Sequence, residues 1–207
     1  MEKKDLIVSS TKKLILKKGY NNTSVEDITK NLGISKGSFY TYFKSKHCVI
    51  DYILTEQLVI SKNIEKKFFE KDMTLESCIE KLVKTRIIFK EDNSIKINLL
   101  IANLFRNLDS LSQETLYILK KLEEINLKLI ANIIYKYVKK IKEKEIEKYS
   151  RILNNIINNY KIFELFVSQE TMNFITTTTE LKNKYRDLSF QLDINILIKS
   201  ILKILTY

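Results

Sequence analysis

A chain of 207 residues with 44% apolar side chains can bury a substantial core, while three glycines and no proline leave too little turn punctuation for an all-β fold. The net charge of +11 invites a polyanionic partner, yet the cations are overwhelmingly lysine beside abundant Ile and Asn, the profile of an AT-rich coding bias. Where the charge sits is therefore more telling than its total. Cys48 and Cys78 stand in unrelated contexts, against a disulfide framework or a zinc site. No apolar run is long enough to span a membrane, and the opening MEKKDLIVSSTKK lacks the apolar stretch of a secretory signal. An all-α protein of the cytoplasm is expected.

Residues 1–50 hold ten lysines against Glu2, Asp5, Glu26 and Asp27, a net of +6, whereas the other three quarters of the chain carry +5. The positive field belongs to the N-terminal module. There, Leu6, Ile7, Leu14 and Ile15 share one face of an amphipathic first helix over residues 3–18. Gly19 closes it as a C-cap after two lysines. Thr23 or Ser24 can cap a second helix, with Glu26 and Asp27 in its first turn and Val25, Ile28 and Leu32 on its buried side. The corner Leu32-Gly33-Ile34 ends that helix. Ser35 caps a third, from Lys36 to about Phe43, with Phe39 and Phe43 facing inward. Ser45 then caps a fourth helix that runs to about Lys71.

Two short helices joined by a tight turn containing Gly form the pattern of a helix-turn-helix, and an ordinary helical hairpin shares it. The outer face of the third helix separates the two. Lys36, Ser38, Tyr40, Thr41 and Tyr42 can all reach base edges or phosphate oxygens, and Gly37 lets the backbone approach a duplex closely. A merely solvated face in this chain would be rich in Lys, Glu and Asn. These residues point to double-stranded DNA.

Beyond residue 50, helices are expected over about 74–90, 95–108, 111–140, 145–170 and 188–205. The loops between them are polar, at Lys71-Asp72, at residues 91–94 and from Thr176 to Asn183. Phe89, Phe105, Tyr117, Tyr160, Phe163, Phe166 and Phe174 either line a hydrophobic pocket or pack the core. In the last helix, Gln191, Asn195, Lys199 and Lys203 form a narrow polar stripe among Leu and Ile, which suits a bundle interior or a subunit interface. The single histidine, His47, adjoins Cys48. Neighbouring helical residues point about 100° apart, so the two do not make a nucleophile–base pair. No enzyme activity, metal or cofactor is expected.

Residues 14–46, LILKKGYNNTSVEDITKNLGISKGSFYTYFKSK, closely resemble the DNA-binding domain of tetracycline-repressor (TetR) family transcription regulators. The shared run is G-Y, T-S-V, D-I, L-G-I-S-K-G-S-F-Y, Y-F and S-K at the family's spacing. The chain departs at Thr29, where the family usually has Ala, and at His47-Cys48. The resemblance implies a DNA-binding domain over residues 1–47, with its motif at about 24–43, and an effector-binding and dimerisation domain over 48–207.

It also implies residue roles. Ser24 and Lys46 would hold phosphates, the latter at the start of the fourth helix. Ser35, Lys36, Gly37 and Ser38 would lie at the groove end of the recognition helix. Tyr40 and Tyr42 would touch phosphates or thymine methyls, and Thr41 a base. The expected protein is a homodimeric repressor, paired through its last two long helices and released from a palindromic operator by a small hydrophobic effector. Phe89, Phe105, Tyr117, Phe163 and Phe166 are the effector-site candidates. A DNA-binding regulator that takes no small molecule is the alternative.

Overall fold

The computed structural model describes residues 2–69, 73–89, 91–165 and 177–206. Among them the regular structure is helical and no strand occurs: α1 (Lys3–Lys18), α2 (Val25–Leu32), α3 (Lys36–Tyr40), α4 (Lys46–Lys66), α5 (Leu75–Ile87), α6 (Asp92–Phe105), α7 (Gln113–Tyr137), α8 (Glu143–Asn159), α9 (Thr178–Arg186) and α10 (Leu188–Thr206). A short 3₁₀ turn at Leu108–Ser110 precedes α7, and α8 runs on into a π-helical turn at Tyr160–Leu165. No helix among the described residues is long and apolar enough to cross a membrane. The chain divides into two compact units, residues 1–60 with 92–122 and residues 61–91 with 123–207.

In the first unit, Ile7, Val8, Thr11 and Ile15 give α1 a buried face, one turn apart along the helix. Thr11 is tolerated there because its hydroxyl donates to the Ile7 carbonyl at 2.8 Å. Leu6, expected on this face, is instead exposed at its edge. The Gly19 amide closes α1 on the Ile15 carbonyl at 2.8 Å. Ser24 and Asp27 form a reciprocal cap for α2: the Asp27 amide donates to Ser24 Oγ at 3.1 Å and the Ser24 amide to Asp27 Oδ2 at 2.8 Å. Thr23, the other capping candidate, is buried and bonds back to the Gly19 carbonyl.

Gly33 ends α2 in the left-handed region, at φ 65° and ψ 31°. Ser35 caps α3 by accepting from the Ser38 amide at 3.1 Å. That helix is shorter than its sequence pattern suggests. Its regular part stops at Tyr40, because the Tyr42 amide tightens onto the Phe39 carbonyl at 3.0 Å. Phe39 and Phe43 are nevertheless both buried, joined by Ile28, Val49, Ile50, Ile53 and Leu54 in one apolar cluster with Leu100 and Leu104 of α6.

In the second unit, Cys78, Ile79, Leu82 and Val83 of α5 are buried, as are Ile130, Ile133 and Ile134 of α7 and Leu153 and Ile157 of α8. The segment read as a polar loop from Thr176 to Asn183 contains the start of α9. The run of threonines hides a cap: the Glu180 amide donates to Thr177 Oγ1 at 3.2 Å and the Thr177 amide to Glu180 Oε2 at 3.2 Å. Burial of Leu181 then holds the helix down. α10 is buried along Phe190, Ile194, Leu197, Ile198, Ile201 and Leu205, but Leu188, Leu192 and Ile196 are 82%, 61% and 53% exposed. Within a single chain, then, only half of its apolar circumference is covered.

A Cβ at Gly33 would meet no heavy atom within 4 Å, so only the backbone conformation resists a side chain there. Gly33→Ala is expected to lower stability by about 1 kcal/mol and Gly33→Asn by less, measured by urea unfolding. Equal stability of the alanine variant would contradict the left-handed corner.

Candidate nucleic-acid interface

The side chains expected to face DNA lie on and around α3. Ser35, Lys36, Gly37, Tyr40, Thr41 and Tyr42 are exposed and Ser38 is half-buried. Their display follows from the opposite face: Phe39 and Phe43 are anchored in the core, which turns the residues between them outward. Tyr40 and Tyr42 are large apolar rings at 53% and 41% exposure, an arrangement that costs contact with water unless a partner covers it. Lys36 makes an exposed ion pair with Glu26 of α2, at 3.0 Å, which is weak enough to yield to a phosphate. The Thr41 hydroxyl donates to the Gly37 carbonyl at 3.1 Å and keeps its methyl available.

Ser24 is exposed, but its hydroxyl already bonds Asp27 at 2.6 Å. Asp27 in turn pairs with Lys18 of α1 at 2.7 Å. Hydrogen bonds from Lys18 first, and then from Ser24, hold the Asp27 carboxyl well below the usual carboxylate range. Lys18, Ser24 and Asp27 thus clamp the start of α2 to α1.

Lys46 stands apart from this row. Its ammonium donates to the Tyr20 carbonyl at 2.7 Å and lies 3.9 Å from the centroid of the Tyr20 ring. Half-burial pushes its pKa down. The structure therefore gathers Ser35 to Tyr42 into one surface and ties Lys46 to the connection between α1 and α2.

Tyr20 is the residue whose importance the spacing of the motif did not reveal. It is buried, its amide donates to Asn103 Oδ1 of α6 at 3.0 Å, and its hydroxyl is hydrogen-bonded to His47 Nδ1 at 2.6 Å. Burial, with the charge of Asp51 adding to it, raises the phenol to about 12. An aromatic residue directly after a helix-capping glycine was the available signal. His47 is accounted for by this bond, a structural one.

The aromatic effector candidates are not one cluster. Phe105 and Tyr117 belong to the first unit and are about half exposed. Phe89 and Phe163 belong to the second, Phe89 buried and Phe163 exposed on the π-helical turn. Phe166 lies outside the described residues, as does Phe174. A surface cleft lined by Phe69, Asn132, Tyr135, Lys136 and Ile146 in the second unit contains none of the described candidates.

Residues 7–52 match the profile of the family described as bacterial regulatory proteins, tetR family. The uncharacterized HTH-type transcriptional regulator YuxN of Bacillus subtilis is 51% identical over 49 residues, 24% of this chain and 17% of that protein. The match thus spans less than a fifth of that relative's own length. The transposon Tn10 TetC protein of Escherichia coli is 28% identical over 160 residues, 74% of each chain. Among solved structures, a bacterial regulatory protein in the tetR family from Rhodococcus aligns over 97% of this chain and 98% of its own, with a TM-score of 0.67. At 17% identity that likeness shows the fold alone.

Tyr20→Phe removes the hydroxyl from His47 and leaves the packing in place. It is expected to cost about 1 kcal/mol in chemical unfolding. An unchanged midpoint would mean that the pair contributes nothing to the junction.

Proposed function

From a chain that belongs to the TetR family of bacterial regulatory proteins, we propose a homodimeric transcription repressor of the cytoplasm that binds a near-palindromic operator and is released by a small molecule. The observation that carries the DNA-binding part is the exposed row Lys36, Tyr40, Thr41 and Tyr42, with half-buried Ser38 beside it, fixed from behind by buried Phe39 and Phe43. In this reading α3 enters the major groove, with Lys36 and the tyrosine hydroxyls on phosphates and Thr41 on a base edge or thymine methyl. Ser24 and the free amides at the start of α4, with Lys46, would hold the flanking backbone. The local surplus of lysine over acids in residues 1–50 supports the same assignment.

Dimerisation is supported by the uncovered apolar side chains of α8 and α10. Leu188, Leu192 and Ile196 recur every fourth residue along α10, and Ile152 of α8 is 43% exposed. A stripe of this kind finds its natural cover in the same stripe on a second copy, across a two-fold axis. The dimer sets the spacing of two α3 helices at about 34–36 Å, one turn of DNA.

Release requires a ligand that binds one spacing of the dimer better than the other. α4 is the element suited to carry such a change. Its 21 residues span about 30 Å, from Lys46 in the first unit to Lys66 in the second.

Gel shifts on DNA fragments selected by the purified protein test the interface. Tyr40→Ala is expected to weaken binding about tenfold, and Lys36→Ala to flatten the salt dependence by about one unit of slope. Lys144→Ala in α8 serves as the control. Unaltered binding by both α3 variants would remove α3 from the interface.

The dimer is tested separately. Leu192→Glu with Ile196→Glu should give folded monomers in sedimentation analysis, with operator affinity lost. A dimer that survives both charges would place the interface elsewhere.

A further inference from the structure

Charge in the later part of the chain is as unevenly placed as in the first. Residues 51–207 carry +5 in all, and residues 125–142 alone hold five lysines and no acid. Lys128 of that run pairs with Glu65 at 3.4 Å, and Lys140 donates to the Thr206 carbonyl. Lys136 and Lys139 have no ion pair among the described residues. Both line the surface cleft of the second unit, which holds about 630 Å³.

The cleft follows from the period of α7. Asn132, Tyr135, Lys136 and Lys139 recur at i, i+3, i+4 and i+7, so they share one face, opposite the side on which Ile130, Ile133 and Ile134 are buried. Lys128 lies one turn earlier on that face, and its pairing with Glu65 lays the end of α4 along it. Phe69 follows, with its ring centre 5.3 Å from the Lys136 ammonium. Buried Phe68 braces that ring edge-on, the two centroids 5.4 Å apart. Val138 and Ile146, both buried, supply apolar lining where α7 gives way to α8. Glu143 is the one carboxylate among the described lining residues, so two ammoniums leave the cleft positive.

We propose that this cleft binds an organic anion with a flat apolar body. The body lies against Phe69 and Tyr135, and the anionic group sits between Lys136 and Lys139. An apolar molecule alone would leave the ammoniums unused, and a small inorganic anion would gain only exposed, screened charge. A ligand that combines the two matches the whole lining, and the volume suits one of that size. The site is distinct from the apolar stripe assigned to the dimer, because Ile146 and Ile152 point about 120° apart around α8. It also stands independently of the reading that a small molecule releases DNA.

The test is calorimetric titration of the full chain with naphthalene carboxylate, its uncharged carboxamide, and acetate. The carboxylate is expected to bind, and the carboxamide and acetate to bind at least about tenfold more weakly. Lys136→Gln and Lys139→Gln should each weaken the carboxylate about threefold and together about tenfold. Both side chains are exposed, so the melting temperature should change little. Tyr135→Ser should weaken carboxylate and carboxamide alike. Lys120→Gln removes one charge from the exposed surface of the first unit and should leave binding unchanged. Failure of the carboxylate to bind, equal binding of carboxylate and carboxamide, or full affinity in the double lysine variant would overturn the proposal. Weakening by Lys120→Gln to the same degree would show a general charge effect and overturn it too.

Discussion

The first unit depends on the way Tyr20 is seated. Its ring is buried at the connection between α1 and α2, and its polar groups are held by two other helices, α6 and α4. Asn103 of α6 takes the amide, Lys46 at the start of α4 takes the carbonyl, and His47 takes the hydroxyl. A buried backbone amide and carbonyl without such partners would each cost on the order of 1–3 kcal/mol. The loop before α2 therefore has little freedom. α2 inherits that constraint through the Ser24–Asp27 cap and its tie to Lys18, and α3 inherits it through Gly33 and the Phe39–Phe43 anchor. A helix with so few regular residues as α3 has little stability of its own, so its orientation must come from such neighbours.

The two units solve the problem of polar groups differently. In the first, buried hydroxyls such as Thr11 are absorbed by the helix that carries them, and Thr115 is satisfied by Asp51 across the unit. In the second, a guanidinium is embedded at the meeting of α5, α7 and α8 and handled by two side-chain amides and a carboxylate. The first arrangement is what a stable core needs. The second is expensive for a core, since apolar side chains of similar volume would serve stability as well or better.

Much of the first unit was legible in the residues because its signals are local. Gly19, Gly33, Ser24 and Ser35 act through backbone angles and hydrogen bonds within four residues, and each is found doing what its type and position require. Legibility fell where one local signal hid another. The four threonines before Glu180 read as a loop, while Thr177 and Glu180 form a cap whose helix is secured only by burial of Leu181. It fell further where a residue's role is set by distant partners. Lys46 reads as a phosphate ligand from the motif, yet its ammonium rests on Tyr20, and a phosphate role would have to share it. Aromatic residues were a poor guide to a pocket, since Phe105 and Tyr117 fall in the first unit, Phe89 and Phe163 in the second, and three of the four are about half exposed or more.

By itself the sequence determined the helical class, the helix-turn-helix with its caps and corner, and the outward row from Lys36 to Tyr42. Those properties depend on torsion preferences and periodicity, which act over a few residues. Only the tertiary structure decided that α10 is half uncovered, that Tyr20 is the junction of α4 and α6 with the loop before α2, and that Arg86 shares an interior with Lys161 and Glu123. Residues 37 and 75 positions apart in the chain become neighbours through packing, and no local pattern encodes the distance between them.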